Sequence, residues 1–159
     1  MADRRRWVIL AYRIPREPST PRIAAWRKLR QLGAAQIVDG LVALPAGNRT
    51  CEQLEWLAQR VREAAGEAWV WTGSLTSGAQ ERALVQAMSA AVAEEYGRLA
   101  AAAREAQAAD PVSRRRTLGR LRRELRRITS RDYFGCAEQR AAKAAVERLA
   151  IHAEEAQTP

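Results

Sequence analysis

The chain of 159 residues contains one histidine, two cysteines and few aromatic residues. His152 stands near a helix end, and no nucleophile–base pair or metal-ligand cluster can be assembled from spacing, so neither a catalytic centre nor a metal site is expected. Cys51 and Cys136 are far apart and show no ligand-like spacing, which suits reduced thiols in a cytosol better than a disulfide framework. No apolar run approaches the ~20 residues of a membrane span, and the start MADRRRW lacks the apolar core of a signal peptide. These absences describe a soluble, cytoplasmic, non-enzymatic protein without a cofactor. The scarce aromatics include five tryptophans, four of them before residue 70, which places the expected packing anchors early.

Acidic residues are scarce where basic ones are dense. Lys and Arg number 27 against 18 Asp and Glu, a net charge of +9. Residues 1–75 carry 12 basic and 7 acidic groups, and 76–111 carry 3 and 5. Residues 112–134 carry 9 and 2, and 135–159 carry 3 and 4. Two separate basic clusters result, and an excess of this size favours an acidic partner such as nucleic acid.

The first part alternates extended and helical patterns. WVILAYRI (7–14) reads as a strand ended by Pro15. Thr20 then Pro21 reads as an N-cap with proline in the first turn, and Ala25, Trp26, Leu29 and Leu32 form the apolar stripe of a helix stopped by Gly33. AQIV and LVAL flank Asp39-Gly40, which suits a type I′ hairpin. Thr50 and Gln53 have capping-box spacing, and Leu54, Leu57, Ala58, Val61 and Ala65 line a second helix that stops at Gly66. AWVWT (68–72) is a last strand. The order β-α-β-β-α-β predicts an α+β fold, a ferredoxin-like core over residues 1–75. Residues 76–159 predict a three-helix carboxy-terminal extension, packed on the core and containing the arginine-rich helix. Its stripes are Val85, Met88, Val92, Tyr96 and Leu99, then Leu118, Leu121, Leu125 and Ile128, then Ala142, Ala145, Val146, Leu149 and Ala153. Asp110 or Ser113 caps the middle helix, and the tail EEAQTP is expected to fray.

SRRRTLGRLRRELRRITSR (113–131) holds nine arginines and one glutamate. Arg116/Arg120, Arg122/Arg126, Arg123/Arg127 and Arg127/Arg131 are like-charged pairs at helical spacing and together cost ~1–2 kcal/mol. Gly119 adds a penalty of about 1 kcal/mol. Helical geometry puts Arg116, Arg120, Arg123, Arg127 and Arg131 opposite the leucine stripe, with Arg115, Arg122 and Arg126 flanking it. The ridge would extend about 22 Å, comparable to several phosphates of one strand. Contact with the backbone of double-stranded DNA offsets the repulsion; a solvated face or an acidic protein groove is the alternative. Arg4, Arg5 and Arg6, with Arg22, Arg27, Lys28 and Arg30 on the first helix, form a second candidate DNA contact. Arg13, Arg16 and Arg22 surround the loop before that helix and could hold an oxyanion near its N-terminus.

WVILAYRIPREPSTPRIAAWRKLRQLGA, VDGLVALPAGNRTCEQLEWL and RRELRRITSRDYFG together resemble the amino-terminal domain of the ChrB chromate-resistance regulatory proteins, over about residues 6–150. Residues 1–75 are more distantly similar to the ferredoxin-like domain of PaaX-type regulators and to CRISPR adaptation nucleases. The nucleases place an aspartate near the end of the first strand, where this chain has Tyr12-Arg13-Ile14. The ChrB resemblance implies a regulator that binds promoter DNA and controls chromate-efflux genes, with chromate or another oxyanion relieving repression. A homodimer on a two-fold site is the expected assembly. The alternative is an adaptor module whose arginine ridge docks on an acidic protein partner.

Overall fold

The computed structural model describes residues 4–155, leaving the last residues of EEAQTP outside the described part. The fold is α+β, with a four-stranded antiparallel sheet and five helices. The chain forms two compact units, one up to Met88 and one from Ser89.

The first unit contains β1 (Trp7–Arg13), α1 (Thr20–Leu32), β2 (Ala35–Val38), β3 (Leu41–Pro45), α2 (Asn48–Glu63) and β4 (Glu67–Gly73), in the sheet order β2-β3-β1-β4. Alternation along β1 sends Val8 and Leu10 to one face, where they register with Leu44 and Val42 of β3. All four are buried, together with Leu54, Leu57, Ala58 and Val61 of α2. Val61 also lies close to Gly66, where an added Cβ would meet the Arg13 carbonyl oxygen at 2.5 Å. That close approach explains the glycine.

Several sequence expectations are corrected here. α1 begins one residue earlier than expected: Ser19 occupies the cap position, without a side-chain capping bond, and Thr20 is already helical. The Asp39-Gly40 turn is not type I′. Gly40 has φ +74°, but Asp39 is not among the residues with positive φ, and type I′ needs both. Thr50 and Gln53 form no capping box. Gly47 is the N-cap of α2, and the Thr50 hydroxyl instead donates to the carbonyls of Pro45 (2.7 Å) and Gly47 (3.1 Å). α2 ends at Glu63, and Ala65, expected on its buried stripe, is exposed in the left-handed region.

The tryptophans are the largest correction. Only Trp7 is an anchor, 1% exposed, its indole N–H donating to Glu81 at 3.2 Å. Trp26, Trp56, Trp69 and Trp71 are 45–71% exposed. Core volume in this unit therefore comes from leucine and valine.

α3 (Gly78–Ala106) runs across the boundary between the units and is followed by α4 (Pro111–Ser130) and α5 (Glu138–Glu155). The core of the second unit joins Val92, Tyr96, Leu99 and Ala103 of α3 to Leu118, Leu121 and Ile128 of α4. Ala142, Ala145, Val146, Leu149 and Ala153 of α5 complete it, with Leu125 packed against it half-buried. Alanine lets these helices approach closely while burying little area each. No helix among the described residues is long and apolar enough to cross a membrane.

Candidate nucleic-acid interface

α4 starts at Asp110, whose carboxylate accepts from the backbone N–H groups of Val112 (3.0 Å) and Ser113 (3.1 Å). A bond from the Ser113 hydroxyl, and then these backbone bonds, hold the Asp110 carboxyl below its ordinary pKa. Pro111 fills the first helical position, where no N–H is needed. Burial of Leu118, Leu121 and Ile128 then fixes the rotation of the helix and turns the opposite face outward.

On that face Arg116, Arg120, Arg123 and Arg127 are exposed, and Arg115, Arg122 and Arg126 are exposed beside them. Arg120 lies 3.4 Å from Glu124, an exposed pair that neutralises little. The guanidinium groups of Arg116, Arg122, Arg123, Arg126 and Arg127 make no hydrogen bond or ion pair with described residues. From Arg116 to Arg127 the ridge spans about 16 Å.

Two arginines of the segment serve the fold instead. Arg131, assigned to the ridge by periodicity, is turned toward α3. Its side chain is 17% exposed, bridged to the Glu95 carboxylate, and it donates to the Arg127 carbonyl. Helical geometry loses its authority at this residue because α4 ends at Ser130. Arg114 donates to the carbonyl oxygens of Gln107 (3.0 Å) and Ala109 (2.8 Å) after α3, and to that of His152 on α5 (2.9 Å). It ties the C-terminal ends of two helices to the start of α4, a role that spacing alone could not reveal.

The RDYFG segment after α4 is held by side-chain hydrogen bonds. Asp132 accepts from the N–H groups of Gly135 (3.0 Å) and Cys136 (3.1 Å), and from the phenol of buried Tyr96 (3.2 Å). Gln139 donates to the same phenol oxygen at 3.1 Å. Burial is the main cause that raises the Tyr96 pKa. The Cys136 thiol donates to Glu138 at 2.7 Å and is pushed up in pKa, first by burial and then by that carboxylate. This arrangement disfavours the thiolate on which cysteine reactivity depends.

In the first unit, Arg4 donates to the carbonyls of Leu75 and Thr76, and Arg6 to the Thr72 hydroxyl at 2.7 Å. Arg5, Arg22, Arg27 and Arg30 are exposed, and Lys28 is half-buried. Arg30 lies over the Trp26 ring at 4.9 Å. Lys28 and Arg60 lie over Trp56 at 5.5 and 5.7 Å. The i,i+4 pairs Trp26/Arg30 and Trp56/Arg60 were visible in the sequence; the Lys28 contact was not.

The three arginines suggested for an oxyanion line two cavities that share Ile14. Arg13 and Arg16 line one cavity, where Glu67 pairs with Arg13 at 3.0 Å, and Arg22 lines another with Tyr12 and Arg27. His152 is exposed, its Nδ1 2.8 Å from the Arg148 carbonyl. Among the described residues no group of three or more His, Cys, Asp or Glu could hold a metal ion.

No curated protein and no solved structure matches the chain. The family described as Protein ChrB, N-terminal, associated with regulators of chromate resistance, matches residues 22–157. That stretch includes α1 from Arg22 onward, the whole arginine helix and the RDYFG segment. The chain belongs to the ChrB amino-terminal family.

Proposed function

We propose that the chain is a DNA-binding transcriptional regulator controlling chromate-resistance genes. Its fold is read as a ferredoxin-like βαββαβ core followed by a three-helix extension. It acts as a homodimer on a two-fold promoter site. The observation that carries this reading is the α4 ridge: a row of exposed arginines, of which Arg116, Arg122, Arg123, Arg126 and Arg127 have no acidic partner among the described residues, on a helix whose rotation is fixed by buried Leu118, Leu121 and Ile128. Spending ~1–2 kcal/mol on like-charge pairs makes sense where phosphates relieve the repulsion. Gly119 adds support. A Cβ there would meet only the Arg123 Nη1, at an ordinary 3.7 Å, so the surrounding packing does not demand glycine. A notch beside the ridge lets a phosphate backbone come close.

The test is a titration against the protein's own upstream DNA and a scrambled duplex of equal length, at two salt concentrations, with and without chromate. The reading expects tighter binding to the native duplex, with a log–log salt slope near −5 for about six neutralised phosphates. Release by chromate would place the oxyanion response within this chain. Equal, weak binding to both duplexes overturns the reading and favours the adaptor alternative, with the ridge on an acidic protein. The four exposed tryptophans of the first unit fit a protein-docking surface as well.

A further inference from the structure

A cavity of about 550 Å³ opens between α1 and α2 in the first unit, in the size range of small-molecule sites. Its floor is apolar, with Ala25, Leu57 and Val61 all buried. Its charged lining residues are Lys28, Arg60 and Glu63. Arg60 and Glu63 pair at 3.1 Å, so the lining carries two cations and one anion, a net +1. Lys28 has no acidic partner among the described residues.

Trp56 organises this charge. Its half-exposed ring lines the cavity and carries both the Lys28 ammonium and the Arg60 guanidinium. Long cationic side chains ordinarily lose rotamer entropy when they bind a ligand. Cation–π contact holds these two in position beforehand, so less ordering remains for a ligand to bring about.

We infer that this cavity binds a small organic monoanion with an apolar, ring-sized body, the chemistry of an aromatic carboxylate. The apolar floor gives an inorganic anion nothing in return for its lost hydration. Glu63 repels a second negative charge, and a neutral ring would leave Lys28 unanswered. The carboxylate takes the Lys28 ammonium and the unpaired N–H groups of Arg60, while the ring displaces water from Leu57 and Val61. Lys28 is also one of the candidate DNA contacts on α1, but the inference does not depend on DNA binding, because its test reads ligand binding without DNA.

The full chain would be titrated with 2-naphthoate and followed by amide chemical shifts, with 2-naphthalenemethanol and inorganic phosphate as comparison probes. Saturable binding with shifts confined to α1 and α2 is expected, and the neutral alcohol and phosphate should bind about tenfold more weakly or not at all. Lys28→Met keeps the aliphatic stem and removes the charge; it should weaken 2-naphthoate about tenfold and leave the alcohol unchanged. Ala24→Leu, at an exposed helical position that lines the cavity, should weaken both ring compounds. Circular dichroism would confirm that both variants fold. Shifts that fail to saturate or spread over the surface overturn the site. Equal 2-naphthoate affinity in Lys28→Met and the parent chain overturns the anionic class, and equal affinity in Ala24→Leu overturns the cavity.

Discussion

The two compact units solve opposite problems with the same residue type. In the first, most cations near the surface have a structural partner: Arg4, Arg6, Arg13 and Arg62 hydrogen-bond to the fold, and Lys28, Arg30 and Arg60 lie over tryptophan rings. In the second, Arg114 and Arg131 are locked, but the arginines between them stand beside one another with Glu124 as the one acid in their helix. The hydrophobic residues reverse the pattern. The first unit leaves four of its five tryptophans exposed, while the second fully buries Tyr96, Leu99, Leu121, Ile128 and Leu149 and exposes only Val112 and Ile151 among its large apolar residues described. A residue's type thus says less about its role than the supply of partners on the element beside it.

The largest expected effect inverts intuition about side-chain size. Leu121 is fully buried in a cluster of which alanines make up nearly half, and alanine side chains cannot reach to close a gap. Leu121→Ala should cost about 3–5 kcal/mol. Trp69→Ala removes a far larger side chain that is 71% exposed, and should cost less than about 1 kcal/mol. Urea denaturation of the two variants measures the difference. A tryptophan variant as damaged as the leucine variant would mean that Trp69 is covered in solution.

The second comparison sets arginines against arginines. Changing Arg120, Arg123 and Arg127 together to Ala should weaken binding to the native promoter about a hundredfold, ~2.7 kcal/mol, and flatten the salt slope by about 3. Changing Arg22, Arg27 and Arg30 together should weaken it less than about tenfold, because Arg30 already lies over Trp26. Unchanged affinity in the first variant rules out the ridge as the DNA contact. A reversal of the two magnitudes moves the interface to α1.

Arg114 tests the contrast within one helix. Arg114→Met leaves three carbonyl oxygens at two helix ends without their donor and should cost about 2 kcal/mol, while DNA affinity per folded molecule stays unchanged. Thermal denaturation together with the promoter titration separates the two quantities. Loss of DNA binding without loss of stability would make Arg114 a ridge residue after all.

The elements themselves were legible because their signals are local. The branched and aromatic run of WVILAYR, the stop at Gly33 and the 3.6-residue stripes of α4 and α5 all survive in the structure. What failed depended on residues distant in sequence or on a single dihedral angle. Asp-Gly permits several turns, and Gly40 is fixed instead by the Tyr12 carbonyl, 2.5 Å from where its Cβ would stand. Thr50 had two carbonyls to satisfy behind it, so it never reached for the helix start. Periodicity put Arg116 and Arg131 on one face, but only the tertiary structure supplies Glu95 to draw Arg131 away. The cavity between α1 and α2 was invisible for the same reason: Lys28 and Trp56 are 28 positions apart.

The polar network of the second unit gives a smaller effect with a defined pH sign. Tyr96 has its pKa raised in the folded state, so its contribution is fully present below the ordinary tyrosine value of 10.0 and is lost as pH rises beyond it. Tyr96→Phe should cost about 1–2 kcal/mol at neutral pH by leaving Asp132 and Gln139 one partner short. It should also flatten the alkaline fall in stability, which urea midpoints between pH 8 and about 11 would reveal. An alkaline limb equally steep in the variant would assign it to another group.

Gly119 supplies the finest distinction between what α4 needs for folding and what it needs for binding. An Ala at this position meets no clash, so Gly119→Ala should stabilise the helix by about 0.5–1 kcal/mol through propensity alone. On the proposed reading the same methyl group fills the notch beside Arg116, Arg120 and Arg123, and promoter affinity should fall severalfold as stability rises. Those opposite signs in one variant would separate the two demands on the helix. A variant that is more stable and binds DNA equally well would show that phosphates approach only the arginine tips, and that the glycine has no part in the contact.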